Sequence, residues 1–183
     1  MRVSAGEYNQ IVLDSDESPL TPFGIEQIEK LAEHFQGRSL PAVHTSPLRR
    51  ARQTADILAG LVQLPVVCMD MFREFMPTGV RPRIFPSRDR MIRSWFLNSM
   101  VRQFIPIFPV SESIWQARSR YRAAWNDLLE WVAPEESADC SERLVTAHRG
   151  TIMILMWALR WNRTWKVVGS DVSNGGITEI IRK

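Results

Sequence analysis

Short apolar runs alternate along the chain with stretches in which apolar residues recur at helical spacing. The runs at 41–45, 65–69, 143–147 and 176–181 are five or six residues long and predict buried strands. Strands that alternate with helices are typical of an α/β fold with a largely parallel sheet. Because parallel strands end at one common edge of a sheet, polar residues just after these runs are the first candidates for chemistry.

Helix starts and stops are marked between these runs. Thr21 and Ser46 are each N-cap residues followed by a proline, so one helix is expected after Thr21 and a second is expected to begin at Pro47. Gly37 supplies the stop for the first of them. Two later helices are expected at about 112–132, capped by Ser111, and at 151–159.

Residues 76–110 break the alternation. This segment combines five prolines with arginines and large apolar residues, and it is interpreted as an excursion from the core with one helix around 88–104. Such an excursion is often a lid or a binding element. An extra core layer or a homodimer contact is the alternative, since the segment includes the apolar residues Trp95, Phe96, Phe104, Ile107 and Phe108.

The bulk composition narrows the class of protein. A chain of 183 residues with 45% hydrophobic and 23% charged residues fits one soluble globular domain, 1–183. No apolar run approaches a membrane span and no signal peptide is visible, so a cytoplasmic protein is expected. Cys68 and Cys140 have no metal-type spacing and are expected to be free thiols. The three histidines are scattered, and neither a metal nor a cofactor is expected.

Positive charge is concentrated in one segment. Between Arg73 and Arg102 there are seven arginines against Glu74 and Asp89, which leaves +5 in a chain whose net charge is +3. This cluster suits an anionic ligand, although a solvated arginine face is an equal alternative. The arginine–aromatic pattern of an RNA-binding sheet is missing, so nucleic acid is not expected as a partner.

Three strand–helix junctions carry candidate chemistry. Arg50 falls in the first turn of the helix expected from Pro47, where its forked donors could reach an anion. His148 leaves a buried strand at its end and is followed by a glycine after one residue. Glu74 follows another strand and is a candidate proton donor. His34 falls among polar residues and is interpreted as a surface histidine, and His44 is interpreted as a structural one.

These segments together resemble the histidine phosphatase superfamily, also called phosphoglycerate mutase-like. The ten residues S46-P-L-R-R-A-R-Q-T-A55 match the family pattern Ser-Pro-Leu-x-Arg-Ala-x-Gln-Thr-Ala in full. Weaker matches are S18-P-L-T-P-F-G-I-E-Q27, E112-S113, V145-T-A-H-R-G150 and N174-G-G-I-T178. The resemblance covers nearly the whole chain and implies a three-layer α/β sandwich with helices on both faces of a mostly parallel sheet.

The resemblance also implies a mechanism and a role for each site residue. In the family a histidine of an Arg-His-Gly turn attacks phosphorus, while two arginines and a second histidine hold the phosphoryl oxygens. By motif, Arg50 is the second arginine and His148 is the second histidine. Glu74 takes the place of the acid that protonates the leaving oxygen. The implied ligand is a phosphorylated small molecule or another phosphoanion.

The N-terminal turn departs from the family pattern. Arg-His-Gly-Glu aligns with S4-A-G-E7, so Gly6 of the phosphate-holding turn is kept, Ser4 replaces the arginine and Ala5 replaces the nucleophile. A methyl group cannot attack phosphorus. Loss of the arginine is expected to weaken phosphate binding by about 1.5–3 kcal/mol, unless Arg81 or Arg83 of the excursion compensates.

Three explanations of this turn stay open. The protein is a degenerate member that binds a phosphorylated ligand, or a chain altered at Ala5 to trap one, or an enzyme with rerouted chemistry in which His148 attacks. His44 is a weaker replacement for the nucleophile. Two classes of function follow: a weak phosphomonoester hydrolase or phosphoryl-transfer protein, and a non-catalytic phospho-ligand-binding or regulatory pseudoenzyme.

Overall fold

The structure, a computed structural model, describes residues 18–75, 112–131 and 142–183. Four helices and five strands lie in these ranges, together with two short 3-10 turns at Glu33–Phe35 and Asp70–Phe72. In chain order the elements are α1 (Pro22–Ala32), β1 (Val43–Thr45), α2 (Arg49–Val62), β2 (Val66–Cys68), α3 (Ile114–Glu130), β3 (Leu144–Thr146), α4 (Arg149–Leu159), β4 (Trp165–Ser170) and β5 (Thr178–Arg182).

The three short strands form a parallel sheet in the order β2-β1-β3. Val43 of β1 is in register with Val66 on one side and with Leu144 on the other. β4 and β5 form a separate antiparallel pair with an irregularity between Val167 and Gly169. The strand expected at 176–181 is therefore present, but within the described residues it pairs with β4, which the apolar pattern did not predict.

Helices cover both faces of the parallel sheet. Neighbouring residues of a strand point to opposite faces. Leu144 packs against the cluster formed by α1 and α2, and Val145 packs against the cluster formed by α3 and α4. The described residues thus have the predicted three-layer α/β architecture, with a core on each side of the sheet.

The observed helix starts agree with the N-cap signals in the sequence in some cases and differ in others. Thr21 Oγ1 accepts a hydrogen bond from the Gly24 amide at 3.1 Å, as expected for an N-cap. α2 does not begin at Pro47, because the first helical residue is Arg49. The cap of α3 is Ser113, whose capping box with Gln116 is complete.

Several predictions lie outside the described residues. These are the N-terminal turn, the excursion at 76–110 with its proposed helix, the cap at Ser111, and Cys140. No helix in the three described ranges has the length and apolarity to cross a bilayer.

Candidate active site

The ends of the three parallel strands supply the polar residues of the candidate site. Ser46 directly follows β1, Glu74 lies six residues after β2, and His148 lies two residues after β3. Arg50 is the second residue of α2, and His148 is the N-cap of α4. Two helix N-termini therefore meet at this edge of the sheet, and their unpaired N–H groups favour an anion.

Arg50 and His148 both lie next to the carboxylate of Glu74. Arg50 Nη2 donates a hydrogen bond to Glu74 Oε2, and the same oxygen lies 3.6 Å from His148 Nδ1. The side chains of Arg50, Glu74 and His148 are 30%, 23% and 6% exposed. A cation, a carboxylate and an imidazole thus lie together, with the first two partly exposed to solvent, and their roles in chemistry remain predictions.

The imidazole of His148 is held from behind by Ser46. Ser46 Oγ lies 2.9 Å from His148 Nε2, and Ser46 is fully buried. A carboxylate can only accept, so the Glu74 oxygen on the opposite side favours the tautomer with its proton on Nδ1. In that tautomer the Ser46 hydroxyl donates to Nε2, and Nδ1–H points to the side of Glu74.

Burial also keeps His148 uncharged. Removal of the ring from water, aided by the nearby Arg50 guanidinium, lowers the pKa of His148 to about 4. At neutral pH the positive charge of the three-residue group therefore comes from Arg50. A neutral imidazole can still donate one hydrogen bond from Nδ1 to an anion.

A buried set of hydroxyl groups lies beneath the site. Thr146 Oγ1 donates to Thr45 Oγ1 at 2.8 Å and lies 3.1 Å from the Ala51 carbonyl oxygen. Thr45 Oγ1 in turn donates to the Ser46 carbonyl at 3.1 Å. These contacts join β1, β3 and the first turn of α2, so they fix the separation between the elements that carry Arg50 and His148.

The other two histidines lie away from this group. His44 is fully buried, and its ring meets Trp131 edge to face with centroids 4.7 Å apart. Burial lowers the pKa of His44 to about 4, and neither ring nitrogen has a hydrogen-bond partner among the described residues. His34 is on the surface beside Arg38, with Arg38 Nη2 3.2 Å from its Nε2. Both positions agree with structural roles.

Five predicted site residues lie outside the described ranges: Ser4, Ala5, Gly6, Arg81 and Arg83. Sequence reasoning assigned Ser46 to capping only and did not find its contact with His148. Proximity to a strand end was the available signal, because the strands of a parallel sheet end at one common edge. In the part of the chain that the structure describes, no group of three or more His, Cys, Asp or Glu side chains could hold a metal ion.

Comparison with known proteins gives one family. The model of the histidine phosphatase superfamily (branch 1) matches residues 4–182 of this chain. A relative from Hydrogenobacter thermophilus, named "Putative phosphoserine phosphatase 2", is 28% identical over 188 residues. That alignment covers 98% of this chain and 86% of the relative.

Solved structures share the fold. Bacillus stearothermophilus YhfR superposes with a TM-score of 0.59 at 19% identity, over 87% of this chain and 88% of that protein. A mycobacterial glucosyl-3-phosphoglycerate phosphatase, solved with inorganic phosphate, gives a TM-score of 0.57 at 24% identity. Its alignment covers 86% of this chain and 72% of the mycobacterial chain.

Proposed function

Because this chain belongs to the histidine phosphatase superfamily, we propose that it binds the phosphoryl group of a phosphorylated small molecule between Arg50 and His148. The observation that carries the proposal is the contact group of Arg50, Glu74 and His148 at two helix N-termini. A forked guanidinium and an imidazole N–H are the donors that phosphoryl oxygens need.

Glu74 has to give way when the anion arrives. Its carboxylate holds the same Arg50 nitrogen that a phosphoryl oxygen would take, and two anions beside one guanidinium repel each other. Proton uptake by Glu74 would remove this repulsion. The protonated carboxyl is also the form that could donate to a leaving oxygen, so ligand binding and the acid role call for the same state.

We further propose that the usual phosphohistidine route is lost. By motif the nucleophile position is Ala5 and the first arginine position is Ser4. The alanine methyl group cannot attack phosphorus, and the serine hydroxyl carries no positive charge for the phosphoryl oxygens. The protein is then a phospho-ligand-binding member of the family in which hydrolysis by that route does not run. Turnover by His148 itself is the competing possibility, and it requires the other neutral tautomer, in which Nε2–H donates to Ser46 and the Nδ1 lone pair attacks.

Binding is the first test. Isothermal titration with inorganic phosphate and with phosphoserine, the latter suggested by the name of the Hydrogenobacter relative, should give saturable binding. Arg50→Ala should weaken it by roughly tenfold to a hundredfold, because a charge-assisted hydrogen bond contributes about 1.5–3 kcal/mol. Arg52→Ala, on the exposed side of the same helix, is the matched control and should change little. Equal losses in both variants would refute the proposed site.

A hydrolysis assay with p-nitrophenyl phosphate separates binding from catalysis. We expect no turnover by the wild type, and turnover after Ser4→Arg is combined with Ala5→His. Wild-type turnover that disappears in His148→Ala would instead support the rerouted scheme. Failure of the double replacement to restore activity would mean that the pocket differs from the family's beyond these two positions.

A further inference from the structure

The main chain just before Glu74 is held by a second group of side chains. The carbonyl oxygen of Arg73 accepts a hydrogen bond from Tyr121 Oη at 2.8 Å and another from Arg120 Nη1 at 3.0 Å. The same Arg120 nitrogen donates to the Met71 carbonyl at 2.5 Å. Both donors belong to α3, so this helix fixes the segment that delivers Glu74 to the site.

Arg120 is itself fixed in place. Its Nε and Nη2 donate to the two carboxylate oxygens of Glu112, each at 2.6 Å. Its guanidinium carbon lies 4.4 Å from the centre of the Tyr121 ring. A guanidinium bound at two points and stacked on an aromatic ring has little freedom left, so its remaining donors have a defined direction.

Tyr121 connects the Glu74 segment to the helix of His148. Its side chain is fully buried, and its hydroxyl also lies 3.2 Å from Thr151 Oγ1. Thr151 is 1% exposed and lies three residues after His148 in the first turn of α4. The hydroxyl thus joins the backbone before Glu74 to the helix that begins at His148.

The segment that carries Glu74 is irregular and runs between Phe72 and Phe75, which both pack in the core cluster of α3 and α4. Residues 73–75 have no regular secondary structure, and the preceding 3-10 turn ends at Phe72, which is buried in the core. The carboxylate of Glu74 nevertheless has to reach both Arg50 and His148. A backbone carbonyl that accepts two hydrogen bonds one residue earlier restricts where that carboxylate can lie.

We propose that Arg120 and Tyr121 are positioning residues that hold the Glu74 carboxylate beside Arg50 and His148. They act through the Arg73 carbonyl rather than by contact with a ligand. The importance of this positioning for ligand binding rests on the proposed function. The position of Glu74 itself can be tested without any ligand.

The direct test is a crystal structure of the unliganded protein that carries Arg120→Lys and Tyr121→Phe together. The introduced lysine keeps a positive charge for Glu112, and the introduced phenylalanine keeps the buried ring. We expect the fold to persist and Glu74 to leave hydrogen-bonding distance of Arg50. Glu74 in its original place, with the Arg73 carbonyl unsupported, would overturn the proposal. Tyr121→Phe alone serves if the double variant does not fold.

A double-mutant experiment in solution measures how much Glu74→Gln changes the sulfate affinity in different backgrounds. A general loss of stability does not alter this difference. Sulfate is the probe because its charge is constant across the neutral pH range. In the wild type, Glu74→Gln should tighten sulfate binding roughly tenfold by removing the competing carboxylate from Arg50. In the background of Arg120→Lys combined with Tyr121→Phe the same replacement should change the affinity less than about twofold, since both hydrogen bonds to the Arg73 carbonyl are then lost.

Arg122→Ala is the matched control on the exposed side of α3, and in that background the full effect of Glu74→Gln should remain. An equal effect of Glu74→Gln in the double-variant and wild-type backgrounds would refute the positioning role. Wild-type protein that binds no sulfate would contradict the proposed function instead. The crystal structure of the double variant would then still decide the positioning role.

Discussion

Removal of one buried hydroxyl, Ser46→Ala, should change the ligand site without touching the ligand. Ser46 is fully buried behind the imidazole, so it can influence a bound anion through the 2.9 Å contact with His148 Nε2. Without the hydroxyl, Nε2 is left without this partner. The ring then loses the contact that holds its orientation, while the Glu74 carboxylate still favours a proton on Nδ1.

The magnitude follows from the two roles of this hydrogen bond. A buried polar atom left without its partner costs about 1–3 kcal/mol of folding free energy. If the only loss at the site is the directed Nδ1–H donor, one neutral hydrogen bond worth about 0.5–1.5 kcal/mol is removed from the phosphate complex. Phosphate affinity should therefore fall about two- to tenfold.

Two assays separate these effects. Urea denaturation gives the free energy of unfolding, and isothermal titration with phosphate gives the affinity. Nitrogen-15 NMR of the histidine rings should show His148 protonated on Nδ1 in both the wild type and Ser46→Ala, because Glu74 rather than Ser46 favours that tautomer. Ser170→Ala is the control, because it deletes an exposed hydroxyl on β4 that lies beside the Met156 sulfur, and it should leave both values unchanged.

An unchanged phosphate affinity in Ser46→Ala would contradict the orienting role of the hydroxyl. So would a loss of affinity on Ser46→Ala that is just as large in a His148→Ala background. In that background the hydroxyl has no imidazole to orient, so the expected additional loss is close to zero.

Two further predictions concern the buried polar groups around the site. Burial holds the pKa of His44 at about 4, below its ordinary value of 6.5. Between these two pH values the unfolded chain binds a proton at His44 that the folded chain does not bind. The free energy of unfolding therefore falls as the pH falls through this range. His44→Leu should reduce this decline by at most about 1.4 kcal/mol per pH unit in urea denaturation, and an unchanged slope would contradict the buried neutral ring. Thr146→Val removes the hydroxyl bonded to Thr45 and near the Ala51 carbonyl, and it should cost about 1–3 kcal/mol in the same assay. A cost no greater than that of an exposed threonine-to-valine change, such as Thr164→Val, would show that these hydroxyl contacts contribute little.

The parts of the fold that depend on local rules could be predicted from the sequence. Thr21 followed by proline marks the start of α1, because an N-cap needs only residues next to it. Arg50, Glu74 and His148 could be grouped because each follows a strand, and parallel strands end at one edge. Their grouping needed topology but no knowledge of side-chain packing.

Features that depend on tertiary contacts could not be predicted in the same way. Ser46 has the sequence of an N-cap, yet its amide donates to the Thr146 carbonyl at 3.1 Å and its hydroxyl contacts His148. These long-range bonds accompany a start of α2 at Arg49 rather than at Pro47. Tyr121 falls in the helix expected at about 112–132, but helical spacing does not indicate that its hydroxyl meets the Arg73 carbonyl.

A crystal soaked in phosphate tests the central claim most directly. We predict an anion bound by the Arg50 guanidinium and by His148 Nδ1, with the Glu74 carboxylate displaced from Arg50. Saturating phosphate that leaves the Arg50–Glu74 pair intact, with no anion between Arg50 and His148, would contradict the account.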